Sequence, residues 1–273
     1  MITSKHNEII ILGSGTSTGV PIVGCSCNVC NSTETHDQRT RTSIVIHSAE
    51  GQHILVDTSP DLRSQLLREK LTQIDNCIIT HEHADHCHGI DDLRPINFFY
   101  KDNIDIYTSE RCAELFKSKF DYIFDINRPM IGGGIPRLSL QGIHTGTKRT
   151  ISGLTFDFFL LPHGHHDTML FSQGKFAYLV DINCITPEVL NHLREKNLEL
   201  LIIDCVRNKP HRTHLNLDKA LKYIKEIAAK KVRLIHLGHD WTHQELTEIS
   251  MKHSTKEIEI RPAFDGERLQ YSS

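Results

Sequence analysis

The sequence predicts an α/β protein with layered sheets, and three observations predict it. Short apolar runs rich in Val and Ile recur along the chain and read as strands. Amphipathic helical patterns lie between several of them. Five of the runs end on, or beside, an Asp or a His, so ligand-type side chains gather at the ends of buried strands, where α/β folds build their sites.

In chain order the strand candidates are "EIIILG", "TSIVIH", "HILVDT", "NCIIT", "IDIYT", "LTFDFFLL", "FAYLVD", "LELLIID" and "VRLIHL". The polar residues at their ends are Asp57, His81 just past Thr80, His163, Asp181 and His236. "PDLRSQLLREK" places Pro60 and Asp61 in a first turn and Leu62, Leu66 and Leu67 on one face, so it reads as a helix. "TPEVLNHLREKN" has Thr186 as N-cap, Pro187 at the first position and Glu188 after it. "LDKALKYIKEIAAKK" is amphipathic through Leu217, Leu221, Ile224 and Ile227. The stretch from Ile104 to Ser152 carries no assignable motif.

The chain has 273 residues, no repeat and no Pro-rich or Ser/Gly linker, so one domain spanning 1–273 is expected. Its 31 Lys and Arg against 34 Asp and Glu give no basic excess for nucleic acid. "MITSKHNEIIILG" lacks the features of a secretory signal, and no run of about 18 apolar residues could span a membrane. The cytoplasm is the expected compartment. There thiols stay reduced, and clustered cysteines bind metal or act in catalysis. Cys77, Cys112, Cys184 and Cys205 sit inside apolar patterns and are expected in the core.

Histidine carries the chemistry. The chain has 19, clustered in "HEHADHCH", "HGHH" and "HLGHDWTH". "HEHADH" puts His81, His83, Asp85 and His86 in a tight turn after a strand. That spacing is no single helix face. It sends two imidazoles to one metal and a carboxylate with an imidazole to a neighbour, donors that suit zinc, manganese or iron. It is not the H-E-x-x-H protease helix, because Asp85 stands where the second His would be.

H-x-H-x-D-H, then a later His, an Asp after an apolar strand and a final His, resembles the metallo-β-lactamase superfamily, from Gly13 to Asp265. The resemblance implies an αββα sandwich of two mixed β-sheets flanked by helices. It implies His81, His83 and His163 on a first metal, and Asp85, His86 and His236 on a second. Asp181 would bridge both, with Asp57 holding ligands from behind. In "HGHH", His165 and His166 rival His163 for the third place.

"GCSCNVC" supplies three thiols, Cys25, Cys27 and Cys30, enough for a closed tetrahedral zinc site given one more ligand. Candidates for the fourth place are His36, Cys87, His239 and His243. "LGSGTSTGVPIVGCSCNVC", "IIDCVRNKPHRTHLNLDKAL" and "HLGH" together resemble the PhnP-like branch, phosphodiesterases that open a cyclic phosphate on ribose. There the cysteine cluster and a His three places past the last active-site ligand hold a structural zinc. This implies His239 as the fourth ligand, beside His236 in the active site. PqqB-type proteins share a similar cluster.

Two divalent ions, zinc or manganese, would activate water and polarise a phosphoryl oxygen. Asp85 and His214 form the expected catalytic set, His214 as general acid or transition-state donor, with His211 the runner-up. "LGSGTSTGVP" offers glycines for close approach to phosphate, or a plain turn; it is no nucleotide P-loop, since Val20 takes the lysine place. "RPMIGGGIPRL" is a candidate flap, with Arg137 a candidate phosphate contact. The expected activity is hydrolysis of a small phosphodiester such as a cyclic ribose phosphate or 2′,3′-cyclic nucleotide, without nucleic acid or membrane as partner. A homodimer is compatible with it. The alternatives are a tRNase Z-like endonuclease, a PqqB-like non-hydrolytic metalloprotein, and a thiolesterase or lactonase.

Overall fold

The computed structural model describes residues 6–100, 103–125 and 134–273. The strands are β1 (His6–Gly13), β2 (Ser43–His47), β3 (His53–Val56), β4 (Asn76–Ile78), β5 (Ile104–Ser109), β6 (Leu138–Ile143) and β7 (Lys148–Ile151). They continue with β8 (Leu154–His163), β9 (His166–Gln173), β10 (Phe176–Leu179), β11 (Leu200–Asp204), β12 (Lys231–Ile235), β13 (Glu259–Pro262) and β14 (Arg268–Ser272). The helices are α1 (Leu62–Glu69), α2 (Ala84–Cys87), α3 (Arg94–Tyr100), α4 (Glu110–Lys119), α5 (Asp121–Phe124), α6 (Pro187–Glu195), α7 (Leu217–Ile227) and α8 (His243–His253).

Two mixed sheets result, in the orders β14-β1-β2-β3-β4-β5-β6 and β13-β12-β11-β10-β9-β8-β7. In the first, β14, β1, β2 and β3 pair antiparallel, and β3, β4, β5 and β6 pair parallel. In the second, β7 to β10 pair antiparallel, and β10 to β13 pair parallel.

Strand periodicity explains the layering. Ile9 and Ile11 point into the core between the sheets, with Phe156, Phe158, Phe171 and Tyr178 opposite. Ile10 and Leu12 point the other way, under Leu62 and Leu66 of α1 and Phe116 of α4. On the second sheet Ile202 faces inward, while Leu201 and Ile203 face α6 and α7. Strands covered on both faces read as continuous apolar runs, which is why these were visible in the sequence. The packing is the αββα sandwich.

The three predicted helices form, with small shifts. α1 starts at Leu62, and Asp61 caps it without a side-chain hydrogen bond. In α6 the Thr186 hydroxyl accepts from the Val189 N–H. α7 ends at Ile227, where Ala228 turns left-handed. Its Leu221, Ile224 and Ile227 are buried, each worth roughly 1.5–3 kcal/mol. Cys184 corrects an expectation: it is exposed, because Ile182 and Ile185 take the core-facing places of that loop. Cys77, Cys112 and Cys205 are buried.

The start of "LGSGTSTGVP" spends its N–H groups inside the fold, Ser14 on Asp265, Gly15 on the Thr40 oxygen and Thr16 on the Leu237 oxygen. A Cβ on Gly13 would lie 2.0 Å from the Arg41 carbonyl oxygen, so glycine is required there for close backbone approach. Ser14, Gly15 and Thr16 brace the segment after β12: the Leu237 N–H donates to the Ser14 oxygen at 2.9 Å, and the Thr16 N–H to the Leu237 oxygen at 3.0 Å. Residues 128–133 of the candidate flap lie outside the described residues. Arg137 is exposed and donates to the Asn97 carbonyl at the start of β6, away from the histidine cluster. No helix among the described residues is long and apolar enough to cross a membrane.

Candidate metal centres

The C-terminal ends of the parallel strands meet at one rim. Asp57 follows β3, Thr80 and His81 follow β4, Asp181 follows β10, Asp204 closes β11 and His236 follows β12. Three of these, Asp57, Asp181 and His236, have φ near +60°. Non-glycine residues adopt this left-handed backbone at a cost of about 1–3 kcal/mol, and surrounding structure must hold them there. The turn of the chain at each point aims a ligand-type side chain across the gap between the sheets.

Two groups of donors form there. His81, His83 and His163 make the first; Asp85, His86, Asp181 and His236 make the second, and the donor atoms within each group lie within 4.8 Å of one another. The groups adjoin at Asp181, whose Oδ2 lies 3.4 Å from His81 Nε2 and 2.7 Å from His86 Nε2. Its Oδ1 lies 3.2 Å from His236 Nε2. Yet His86 Nε2, His236 Nε2 and Asp181 Oδ1 are buried and have no hydrogen-bond partner. Close buried donor atoms without hydrogen bonds among them fit a shared cation.

Protonation agrees. Burial pushes His81 well below the usual range and His163 down to about 4, so both present neutral imidazoles. Asp181 and Asp85 are held low, because neighbouring histidines outweigh the burial that would raise them.

The supports are buried as well. Asp57 accepts from the Thr80 N–H at 2.7 Å and lies 2.8 Å from His86 Nδ1. His163 Nδ1 lies 3.1 Å from the Thr213 carbonyl oxygen, which fixes its other nitrogen toward the cluster. His165 is exposed; His166 packs its ring on His83 at 5.1 Å but turns Nδ1 to Glu82 at 2.6 Å, so the donor group with His81 and His83 takes His163.

His214 stands beside the second group, stacked on His236 at 4.9 Å between ring centres. Its Nδ1 lies 3.1 Å from Asp204 Oδ2 and 3.2 Å from Asp181 Oδ1. These carboxylates outweigh burial and hold its pKa up at about 10. Asp181, Asp204, His214 and His236 thus form a third, overlapping group. Asp204 Oδ2 accepts the proton of His214 Nδ1, so that pair is satisfied without an ion. Asp204, fully buried, escaped sequence reasoning although "LELLIID" ends on it as other strands end on ligands. His211 ring-packs on His214 and bonds to Thr213.

The cysteine site is separate. His239 Nδ1 lies 3.4 Å from Cys25 Sγ and 3.5 Å from Cys27 Sγ and Cys30 Sγ. A tetrahedral zinc with Zn–S of about 2.3 Å and Zn–N of about 2.0 Å requires S···N edges of roughly 3.5 Å. The four residues therefore fit zinc. The Cys30 N–H lowers the Cys27 thiol to about 6, while burial raises Cys30 to about 11. The other candidates lie elsewhere: His36 stacks on Phe264 with His243 beside it, and Cys87 is buried next to Lys119.

Residues 52–237 match the family model for the beta-lactamase superfamily domain. A crystal structure of a diphosphatase from the PhnP family superposes with a TM-score of 0.85 at 32% identity, over 97% of this chain and 98% of that one. Zn(2+)-bound PqqB from Methylobacterium extorquens superposes with a TM-score of 0.75 at 16% identity, over 96% and 99% of the two chains, a likeness of fold. An octanoyltransferase of Porphyromonas gingivalis (strain ATCC BAA-308 / W83) is 36% identical over 259 residues, 94% of this chain and 50% of that protein. The chain spans about half the length of that relative.

Proposed function

The chain belongs to the beta-lactamase superfamily domain family, and from that premise we propose that it is a dinuclear metal-dependent hydrolase of small phosphodiesters. The observation that carries the proposal is the adjoining of two donor groups at Asp181, with buried atoms of His86, His236 and Asp181 left unpartnered. His81, His83 and His163 would hold one ion, Asp85, His86 and His236 the other, with Asp181 shared. Cys25, Cys27, Cys30 and His239 would hold a structural zinc. The whole chain is read as one such domain, working in a reducing compartment such as the cytoplasm.

Zinc or manganese in the paired site would polarise a phosphoryl oxygen and activate the attacking water. Asp85 serves as ligand and holds charge at the reacting centre. Asp204 and Asp181 engage His214 Nδ1, which leaves its Nε2 to deliver a proton to the departing oxygen. The PhnP-family diphosphatase supports a phosphoric ester or anhydride as substrate. The near-balanced net charge of the chain gives RNA no overall electrostatic attraction.

The test is hydrolysis of bis(p-nitrophenyl) phosphate and cyclic nucleotides with metal analysis. Asp85→Ala is expected to lose metal and activity together. His214→Ala is expected to keep its metal and lose roughly 10²–10⁴ in rate. A second reading is acyl chemistry, such as thioester hydrolysis; a relative named an octanoyltransferase, of which this chain spans half, points to an acyl group. Thioester turnover without phosphodiester turnover would replace the first reading by the second.

A further inference from the structure

His236 and His239 stand three residues apart, one facing the paired site and the other the cysteine site. The turn between them is held at every peptide. Leu237 is braced by Ser14 and Thr16, and the Gly238 N–H donates to the Val206 oxygen at 2.9 Å. The Gly238 carbonyl accepts from Arg39 Nη1 at 2.5 Å. Arg39 Nη2 donates to the Trp241 carbonyl at 2.9 Å and approaches Asp37 at 3.4 Å, and Asp37 in turn accepts from the His243 N–H.

Arg39 is 1% exposed, the largest of the fully buried side chains. Burying a guanidinium is costly unless its bonds are made; here Nη1 and Nη2 are spent on one turn, and Nε is left without a partner. Its backbone works on the opposite partner. Arg39 and Val20 exchange both N–H···O bonds at 2.8 Å, and Val20 packs with Val29 and Cys30 in the small core of the cysteine loop. One residue thus anchors the thiol loop through its main chain and the His236–His239 turn through its side chain.

We propose that Arg39 is a positioning residue that couples the two metal sites, setting the thiol loop against the His236–His239 turn so that occupancy of the cysteine site holds His236 in its ligating place. The inference rests on the two-site reading above. It makes the cysteine site a determinant of metal affinity at the active site, through a chain-reversing turn held in left-handed backbone at His236.

The probes are cobalt(II), whose thiolate charge-transfer band reports the cysteine site, and manganese(II), whose paramagnetic resonance reports the oxygen- and nitrogen-rich site. Arg39→Met is expected to weaken both by about 10- to 100-fold. Cys27→Ser is expected to abolish the cobalt band and weaken manganese by a similar factor. The double variant should lose no more manganese affinity than the worse single, because both changes act on one unit. Should Arg39→Met fail to fold by circular dichroism, Arg39→Lys carries the test, since an ammonium keeps the charge but lacks the fork that spans two carbonyls. Manganese affinity in the folded Arg39 variant within about twofold of wild type, or losses that multiply in the double variant, would overturn the coupling while leaving the two-site reading intact. A wild-type protein with no cobalt–thiolate band would overturn both.

Discussion

Replacing Asp57 by Asn probes the support behind the paired site by exchanging one heavy atom. Asp57 is fully buried, and its left-handed backbone suits Asn as well as Asp. The amide oxygen can still accept from Thr80 N–H, now at 2.7 Å. The amide nitrogen would face His86 Nδ1, now 2.8 Å from a carboxylate oxygen. A carboxylate there accepts the Nδ1 proton and leaves Nε2, which faces Asp85 and Asp181, to give its lone pair to an ion when one binds. An NH₂ either opposes that proton or forces it onto Nε2, the ligating atom. Losing a hydrogen bond to a charged group costs about 1.5–3 kcal/mol. A 10- to 100-fold loss of metal affinity, about 1.4–2.7 kcal/mol, is the matching expectation. Chelator competition for zinc or manganese measures it. The metal-free protein should melt near wild type, because the change also relieves a buried carboxylate whose pKa burial raises. A folded Asp57→Asn protein that binds metal as tightly as wild type would refute the tautomer argument.

Gly13→Ala should destabilise the fold by about 1–3 kcal/mol through the collision with the Arg41 carbonyl, seen as a lower denaturation midpoint at unchanged slope. An unchanged midpoint would show that the two backbones can part at no cost. His243, pushed down to about 4 by burial with His36 and Arg39 beside it, predicts a pH limb. The unfolded chain binds that proton near 6.5 and the native state resists it. Stability from this group is therefore whole above about pH 6.5, lost as the pH falls, and level again below about 4. Melting temperatures at pH 7 and 4.5 should draw together in His243→Gln; equal slopes in variant and wild type would remove His243 as the cause.

The central strands were legible because both faces are covered, leaving unbroken apolar runs. β6 was not: it is a mostly half-buried edge strand, and the alternation of "LSLQ" lasts only four residues before Gly142 breaks it. β9 is buried, but Thr168, Ser172 and Gln173 interrupt its apolar pattern. α8 hides in "HQELTEISMKH", where Leu246 is the buried apolar anchor, although its capping box of Thr242 and Glu245 was a readable start signal. In the site, residues at strand ends stood out because a polar side chain closes an apolar run. Arg39 did not: it sits in a polar loop, and only the fold shows that its guanidinium is sealed from water.

The first strand pairs with the last one, and Ser14 reaches Asp265 across 251 positions of sequence. Cys30 and His239 are separated by 209. A nascent chain leaving the ribosome therefore exposes its thiol loop long before the histidine that completes it has been translated. Under the proposed zinc site, metal loading would follow synthesis of His239, and until then the early cysteines would be open to oxidants and to competing soft ions.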